Sequence, residues 1–267
     1  MQENDQRKIE YKTELQAMLT DAKKSAFAKY QELYIGSSNL WFLLKYEVIT
    51  SLFGPLPGAL GLILRRNFFK TLLGRVGSNV VFGRNVIFRH PKKIHLGDNV
   101  IIEDNCVLDA KGKNNKGIFI GDNVTIGRNC VLSCKNGDLN IGNNTIININ
   151  AFIQSGKKVD IGKNVGIGAY CYIMGAGDHI MTRTDIPIMA QGQIVKGITI
   201  EDNAAIGTGA KIKDGITIGR DAFIGAGAVV TKSIPEFSVA VGVPARVIRN
   251  RKTNNKIQVQ KESKTQK

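Results

Sequence analysis

The sequence predicts an all-β fold, a parallel β-helix of about seven coils built from six-residue units. Large apolar residues recur at every sixth position from residue 76, a glycine follows many of them, and only 7 % of the chain is aromatic beside 29 glycines. Six residues are too few for a helix and turn but suit one short strand and a tight corner. Three units therefore close a triangular coil, and successive coils stack at the usual strand spacing of about 4.8 Å.

The repeat consists of seven triplets of large apolar side chains, which are expected to point into the prism. A small or β-branched residue usually follows four positions later, which predicts that Cys106, Cys130 and Cys171 are interior packing groups. Gly or Asn is expected at corners with positive φ. The triplets are Val76, Phe82 and Phe88; Leu96, Ile102 and Leu108; Ile120, Ile126 and Leu132; Ile141, Ile147 and Ile153; Ile161, Ile167 and Ile173; Ile200, Ile206 and Ile212; Ile218, Ile224 and Val230.

Insertions between the triplets predict where the functional site lies. Successive coils start 20, 24, 21, 20, 39 and 18 residues apart, whereas the spacing within each triplet stays at six. Every insertion therefore falls after the third unit of its coil, on one edge of the prism. The longest lies between Ile173 and Ile200 and carries GAGDHIMTRTDIPIMAQGQ. Long insertions on one edge of a repeat protein commonly build its binding site, so this loop is the expected functional centre.

Residues 1–74 are predicted to form an N-terminal helical region. Spaced apolar residues before position 35 favour an amphipathic helix, and residues 48–64 are uncharged but interrupted by Pro55 and Pro57. A spanning helix needs roughly 20 apolar residues, so this stretch is too short to cross a bilayer. Two interpretations remain open: residues 40–70 lie in a membrane interface, or they cap the apolar end of the repeat. In the membrane interpretation, lipid phosphates contact Arg65, Arg66 and Lys70.

The remaining boundaries place the β-helix at 75–235, a closing segment with a short helix at 236–250, and a basic disordered tail at 251–267.

The formal net charge of +15 favours anionic partners, namely nucleic acid, an acidic membrane surface or the phosphates of a cofactor. Nucleic acid is not expected, because no recognition motif is present and aromatic residues are not interleaved with the basic ones. The four cysteines form no CxxC pair and no signal peptide precedes them, so the expected location is the cytoplasm, free or at the inner face of the membrane.

The six-residue pattern, the loop with its histidine and the closing run IGAGAVVTKSIPEFSVAVGVPARVIRN (224–250) together resemble the hexapeptide-repeat acyltransferases. The galactoside and maltose O-acetyltransferases and the acetyltransferases of surface polysaccharides are the most similar groups. The resemblance covers about residues 75–250. It implies a left-handed β-helix, a homotrimer with active sites at the subunit boundaries, and acyl transfer from acetyl-CoA without a metal.

The resemblance implies that His179 is the general base. An alcohol is a weak nucleophile, and imidazole is the side chain suited to accept its proton at neutral pH. Asp178 or Asp185 is expected to orient the ring, although a backbone carbonyl would serve equally. His90 and His95 lie several coils away and are expected to be structural. A β-helical carbonic anhydrase, which needs three converging histidines, is therefore not expected.

The resemblance also implies a coenzyme A site on the last coils, where the insertions shrink to zero. Positions matching the contacts of the pantetheine arm are Thr208, Gly209, Ala226 and Gly227. Positions matching the binders of the nucleotide end are Thr231, Lys232, Arg246 and Arg249, where cations suit phosphates.

The acceptor is expected to be a hydroxyl of a sugar or surface-glycan precursor, attacked directly in a ternary complex without an acyl-enzyme. Two alternatives stay open: N-acetylation of an amino sugar, and a non-catalytic β-helix that acts as a scaffold or binding module. The loop sequence DHIMTRTDIPIM differs from that of the galactoside and maltose enzymes, so their acceptor cannot be transferred to this chain.

Overall fold

The computed structural model describes residues 14–253 of the 267. The predicted N-terminal helix therefore lies partly, and the basic tail largely, outside the described residues. The helices are α1 Glu14–Thr20, α2 Ala26–Tyr30 continued by a π-helical turn Gln31–Ile35, α3 Leu40–Phe53 and α4 Gly58–Phe69, with 3₁₀ turns at Pro91–Lys93 and Ile188–Ala190.

Short strands occupy most of the chain after the last helix. In chain order they are β1 Arg75–Val76, β2 Val81–Phe82, β3 Ile87–Arg89, β4 Ile94–Leu96, β5 Ile101–Ile102, β6 Val107–Asp109, β7 Ile118–Ile120, β8 Thr125–Ile126, β9 Val131–Cys134, β10 Asp138–Ile141, β11 Ile146–Ile147, β12 Phe152–Ser155, β13 Lys158–Ile161, β14 Gly166–Ile167, β15 Tyr172–Gly175, β16 Asp178–His179, β17 Gln193–Ile194, β18 Ile198–Ile200, β19 Ala205–Ile206, β20 Lys211–Ile212, β21 Thr217–Ile218, β22 Phe223–Ile224, β23 Val229–Val230, β24 Ser238–Val241 and β25 Arg246–Asn250.

Three parallel sheets form the faces of a triangular prism and confirm the predicted parallel β-helix. Sheet A contains β1, β4, β7, β10, β13, β18 and β21; sheet B contains β2, β5, β8, β11, β14, β19, β22, β24 and β25; sheet C contains β3, β6, β9, β12, β15, β20 and β23. Each coil contributes one strand to each sheet. Seven complete coils are followed by a partial eighth, which begins where Ile234 bridges to Ile218 and continues into β24.

The predicted apolar triplets form the core. Each of their residues is buried except Val76, which packs against the core at the first coil. The residues stack in strict register, for example Ile141 on Ile161 and Ile161 on Ile200. The small residues four positions later are also buried, including the three predicted cysteines. The periodicity therefore predicted both classes of interior residue.

Asparagines occupy most of the corners with positive φ in the first five coils, and their side chains connect the coils. Along one edge the amide of each hydrogen bonds to the next at 3.0 to 3.2 Å. An asparagine tolerates the left-handed region because its short polar side chain bonds locally. The series runs through Asn79, Asn99, Asn123, Asn144, Asn164 and Asn203.

The insertions leave one edge of the prism, where sheet C connects to sheet A, as the spacing predicted. The longest, residues 176–197, carries the antiparallel hairpin of β16 and β17. The C-terminal segment differs from the prediction. In place of a short helix, β24 pairs with β22 and then with β25 as an antiparallel hairpin, which occupies the edge of sheet B. Pairing satisfies backbone groups that an open sheet edge would expose.

Helices α3 and α4 close the other end of the prism, as the capping interpretation expected. Arg65 Nε donates to the carbonyl of Phe82 at 2.9 Å, and the hydroxyl of Tyr46 donates to the carbonyl of Phe88 at 2.6 Å. The ring of Phe69 makes edge contacts with both phenylalanines. The helices thus supply partners for carbonyls of the first coil, which has no coil below it. No helix in residues 14–253 has the length and apolarity to cross a membrane.

Candidate active site

The stem of the long loop is fixed to the next coil. The carboxylate of Asp214, itself buried, accepts hydrogen bonds from the backbone nitrogens of Lys196 and Gly197 at 2.7 and 2.8 Å. On the other strand of the stem, His179 pairs with Gln193 and Asp178 with Ile194. His179 is therefore carried by a hairpin whose base is anchored on the prism edge.

The imidazole of His179 is half-buried, and its two nitrogens have different surroundings. Nε2 lies 2.9 Å from the amide nitrogen of Gln193. An amide nitrogen can only donate, so this contact is a hydrogen bond in the tautomer that carries the ring proton on Nδ1. Nδ1 is buried and has no hydrogen-bond partner among the described residues. The hairpin therefore supplies a partner for Nε2 but none for Nδ1.

The two carboxylates expected to orient the ring are occupied elsewhere. Asp178 is exposed and forms an ion pair with Lys213 of the next coil at 2.8 Å. Asp185 pairs with Arg183, and this hydrogen bond lowers the pKa of the Asp185 carboxyl. The structure brings neither carboxylate to the imidazole within one protomer, and Gln193 contacts the ring in their place.

The tip of the loop folds back on itself. The side chain of Gln191 accepts a hydrogen bond from the backbone nitrogen of Arg183 and donates to its carbonyl, at 3.0 and 2.8 Å. Several apolar side chains near His179 remain exposed on this folded tip: Met181, Ile188, Met189 and Ile194. The loop that carries His179 therefore presents exposed apolar side chains.

The residues expected at the pantetheine arm lie together on the edge between sheets B and C. The backbone nitrogen of Gly209 donates to Ala169, and that of Gly227 donates to Thr208, each at 2.8 Å. Both glycines have positive φ, 71° and 68°, and a Cβ on Gly227 would meet nothing within 4 Å. Glycine adopts this conformation without steric cost, and its lack of a side chain leaves an open strip along which a thin ligand can approach.

The residues expected at the nucleotide end form a second group near the C-terminal end of the prism. Thr231 and Lys232 directly follow β23, whereas Arg246 and Arg249 lie on β25. All four are exposed. Within one protomer, sheet C separates the glycine strip from the edge that carries His179.

The described cysteines and the other two histidines have structural surroundings. The four cysteines are buried and unpaired, and burial raises the pKa of Cys134 to about 12 and also that of Cys171. Within residues 14–253 no cluster of three or more His, Cys, Asp or Glu could hold a metal. His90 contacts the carbonyl of Glu32 at 2.9 Å, and His95 stacks on Phe119, so both have structural partners.

Sequence reasoning did not find Gln193 or Lys213. Gln193 lies fourteen residues after His179, and no turn motif in the loop predicted the hairpin that brings the two side chains together. Lys213 directly follows a repeat unit, and its position in the sequence does not indicate the ion pair with Asp178. Their contacts depend on how the loop folds over the next coil, which the six-residue period does not encode.

Comparison with known proteins supports the class of fold defined above. The model of the bacterial transferase hexapeptide (six repeats) matches residues 197–232, and that of the hexapeptide repeat of succinyl-transferase matches residues 75–110. Transferase hexapeptide repeats are therefore recognised near both ends of the β-helix. The resemblance to the hexapeptide-repeat acyltransferases is confirmed.

Individual proteins are similar over parts of the chain. A probable acetyltransferase of Mycobacterium tuberculosis is 35 % identical over 43 % of the chain, and a serine acetyltransferase of Buchnera aphidicola is 48 % identical over 24 %. The aligned parts cover only 38 % and 25 % of those relatives' own length. A solved N-acyltransferase from Bacillus cereus, in complex with an amino-sugar nucleotide and coenzyme A, is 20 % identical over 70 % of the chain and 89 % of its own, with a TM-score of 0.48.

Proposed function

We propose that this chain is an acyltransferase that moves an acetyl or similar acyl group from acyl-CoA to a hydroxyl of a sugar or surface-glycan precursor. The position of His179 carries the proposal. Its imidazole sits on the longest excursion from the repeat, and its Nε2 contacts an amide that an incoming hydroxyl can replace. The relatives named as acetyltransferases and the matched transferase repeats support the same reaction class.

In the proposed mechanism His179 Nε2 accepts the proton of the acceptor hydroxyl as its oxygen attacks the thioester carbonyl carbon. The carbon–sulfur bond then breaks, and the imidazolium returns its proton to the departing coenzyme A thiolate. Such a base contributes roughly 10²- to 10⁴-fold to the rate. Since the described cysteines are buried inside the prism, transfer proceeds directly in a ternary complex rather than through a cysteine thioester.

Coenzyme A would lie along the glycine strip of Gly209 and Gly227, with its phosphates near Lys232 and Arg249. The open space outside Gly227 and the exposed cations suit a thin arm and an anionic end. Because sheet C separates this strip from His179 in one protomer, we further propose a homotrimer in which neighbouring subunits complete each site. The buried Nδ1 of His179 without a partner fits a site that one protomer leaves incomplete.

The proposal is tested by incubating the purified chain with acetyl-CoA and matched acceptors that carry either hydroxyl groups alone or an added amino group. Release of free thiol and the mass of the product are measured together. Acceptor-dependent thiol release with an alkali-labile O-acetyl product supports the proposal. An alkali-stable N-acetyl product from the amino sugars alone favours the amine alternative, and no thiol release with any acceptor favours a scaffold. A rapid burst of free coenzyme A without acceptor contradicts direct transfer.

A further inference from the structure

The outer faces of α3 and α4 form one end of the molecule. Their inner faces cover the first coil through Tyr46, Arg65 and Phe69. The helices also contact each other through the stacked rings of Phe53 and Phe68, whose centroids are 4.5 Å apart. The sides of both helices that face away from the prism therefore form a continuous terminal surface.

This terminal surface is apolar. On α3 the side opposite the buried Leu43, Tyr46 and Ile49 carries large exposed side chains at helical spacing, and α4 continues them. Trp41 is 81 % exposed and Leu60 is 66 % exposed. We call the following set the terminal apolar surface: Leu40, Trp41, Leu44, Val48 and Leu52 on α3, and Leu60, Leu62, Ile63 and Phe68 on α4. A contiguous exposed patch of this kind marks a binding surface rather than chance exposure.

Cations border the terminal apolar surface. Lys45, Arg66 and Lys70 are exposed beside it. The acid of this stretch, Glu47, is half-buried, lines a groove beside Trp41 and Leu44, and accepts a hydrogen bond from Tyr30. Arg65, which the sequence placed on lipid phosphates, is instead buried and donates to backbone carbonyls, so it cannot take part. Apolar side chains with a mainly cationic rim complement the acyl boundary and the anionic headgroups of a bilayer.

We propose that the terminal apolar surface docks end-on against an anionic membrane. The two helices, 14 and 12 residues long, are too short to span a bilayer and can only lie in its interface. The excess of cations on the rim, three against one carboxylate, favours an anionic bilayer as the occupant. In the proposed homotrimer, three such surfaces would bind together and strengthen the attachment.

End-on docking limits the acceptor, a step that rests on the proposed acyl transfer. His179 follows the fifth coil, so four coil spacings of about 4.8 Å separate it from the first coil, or about 20 Å. The single sugar of a simple glycolipid headgroup does not reach that far from the bilayer. The acceptor is therefore a glycan that extends several sugars from its lipid anchor, or one free in solution.

The docking is tested by sedimenting the full-length chain with vesicles of phosphatidylcholine, alone or with phosphatidylglycerol. Binding is expected with the anionic vesicles. Leu44→Glu together with Leu52→Glu places two carboxylates in the surface and is expected to lower the partition coefficient roughly tenfold or more. Arg66→Gln with Lys70→Gln should also weaken binding, by about 25-fold, since each basic residue near the membrane contributes about a factor of five.

Ile146→Glu serves as the control, because Ile146 is 50 % exposed on sheet B and lies outside the terminal apolar surface. It should bind vesicles like the wild type. The basic C-terminal tail is intact in every variant, so equal binding by the double-Glu variant would assign the attachment to the tail and overturn the proposal. Failure of the wild type to bind the anionic vesicles would also overturn the proposal. So would size-exclusion chromatography that shows a smaller oligomer for the double-Glu variant than for the wild type. Turnover of acetyl-CoA with a soluble acceptor is measured separately, so a failed reaction does not count against docking.

The distance between His179 and the bilayer is tested with an active enzyme. The same glycan is offered free, on a long lipid-linked chain, and as a single sugar on a lipid. Acetylation of the first two but not the third is expected. Equal acetylation of the single-sugar lipid would contradict the end-on orientation.

Discussion

His179 is held by a residue from the facing strand of its own hairpin rather than by a carboxylate. The side-chain nitrogen of Gln193 lies 2.9 Å from Nε2 of the ring. In the proposed mechanism an acceptor hydroxyl displaces that amide from Nε2. The base and the two sets of coenzyme A residues stay predictions from the resemblance. The orienting role was assigned to Asp178 or Asp185, which the structure pairs with Lys213 and Arg183.

At the residue scale, Lys232→Ala and Arg249→Ala are each expected to raise the KM for acetyl-CoA about tenfold with little change in kcat. A charge-assisted contact with phosphate is worth about 1.5 to 3 kcal/mol, and exposure reduces it to about 1.4 kcal/mol, or tenfold. Steady-state kinetics with acetyl-CoA and its 3′-dephospho form check this. If the cation contacts the 3′-phosphate, the increase in KM should be smaller with the dephospho form. The control is Lys163→Ala, which changes an exposed lysine elsewhere on the prism. An equal increase in KM for this variant would contradict the assignment of Lys232 and Arg249 to the phosphates.

At the element scale, glycine has two separate roles. The glycines that follow apolar residues allow coils to approach, whereas most positive-φ corners of the early coils are occupied by asparagine. The sequence analysis expected Gly or Asn at the corners and gave no role to the glycines that follow the apolar residues. The close approach of neighbouring coils explains them, because a Cβ at these positions would overlap the coil above, for example at Gly121 and Gly142.

Gly142→Ala is therefore expected to destabilise the protein by about 1 to 3 kcal/mol, as overpacking does. The added Cβ would lie 2.6 Å from the carbonyl carbon and oxygen of Gly162, which cannot move without shifting the next coil. Thermal or denaturant unfolding measures the change. Gly166→Ala is the matched control, since a Cβ there meets nothing within 4 Å. Equal destabilisation by both would show that contact between coils does not set the cost.

His90 connects the N-terminal helices to the first coil and should make that contact sensitive to acid. Burial lowers its pKa below the ordinary 6.5, although the hydrogen bond to the Glu32 carbonyl opposes the shift. As the pH falls through about 6.5, the unfolded chain binds this proton before the folded chain does, so stability is lost on acidification. His90→Asn suits the positive φ of 51° and removes the group.

We expect the melting temperature of the wild type to fall more between pH 7.5 and pH 5 than that of His90→Asn. The carboxylates and His95 titrate in both proteins and cancel in the comparison. The same decrease in both proteins would show that His90 does not contribute to the pH dependence.

At the scale of the whole molecule, regular spacing made the architecture predictable. The period set the strands, the core and the edge from which loops leave, because each coil repeats the same geometry on the one before. The ends were less predictable, since they have no neighbouring coil. The C-terminal hairpin replaced an expected helix, and the sequence left open whether residues 40–70 cap the prism or meet a membrane. The structure establishes the cap through the contacts of Tyr46 and Arg65.

A homotrimer is the expected assembly, because the glycine strip and the edge that carries His179 lie on either side of sheet C. Sedimentation equilibrium should return three times the chain mass of 29.2 kDa. A monomer that is fully active would contradict a site shared between subunits.

The central claim is that the His179 imidazole removes the acceptor proton, and the kcat of His179→Ala tests it most directly. With acetyl-CoA and the acceptor identified for the wild type, kcat should fall by about 10²- to 10⁴-fold, while the melting temperature and the KM for acetyl-CoA stay nearly constant. His95→Gln, a histidine outside the loop, should keep normal turnover. A kcat for His179→Ala within a few-fold of the wild type would contradict the account.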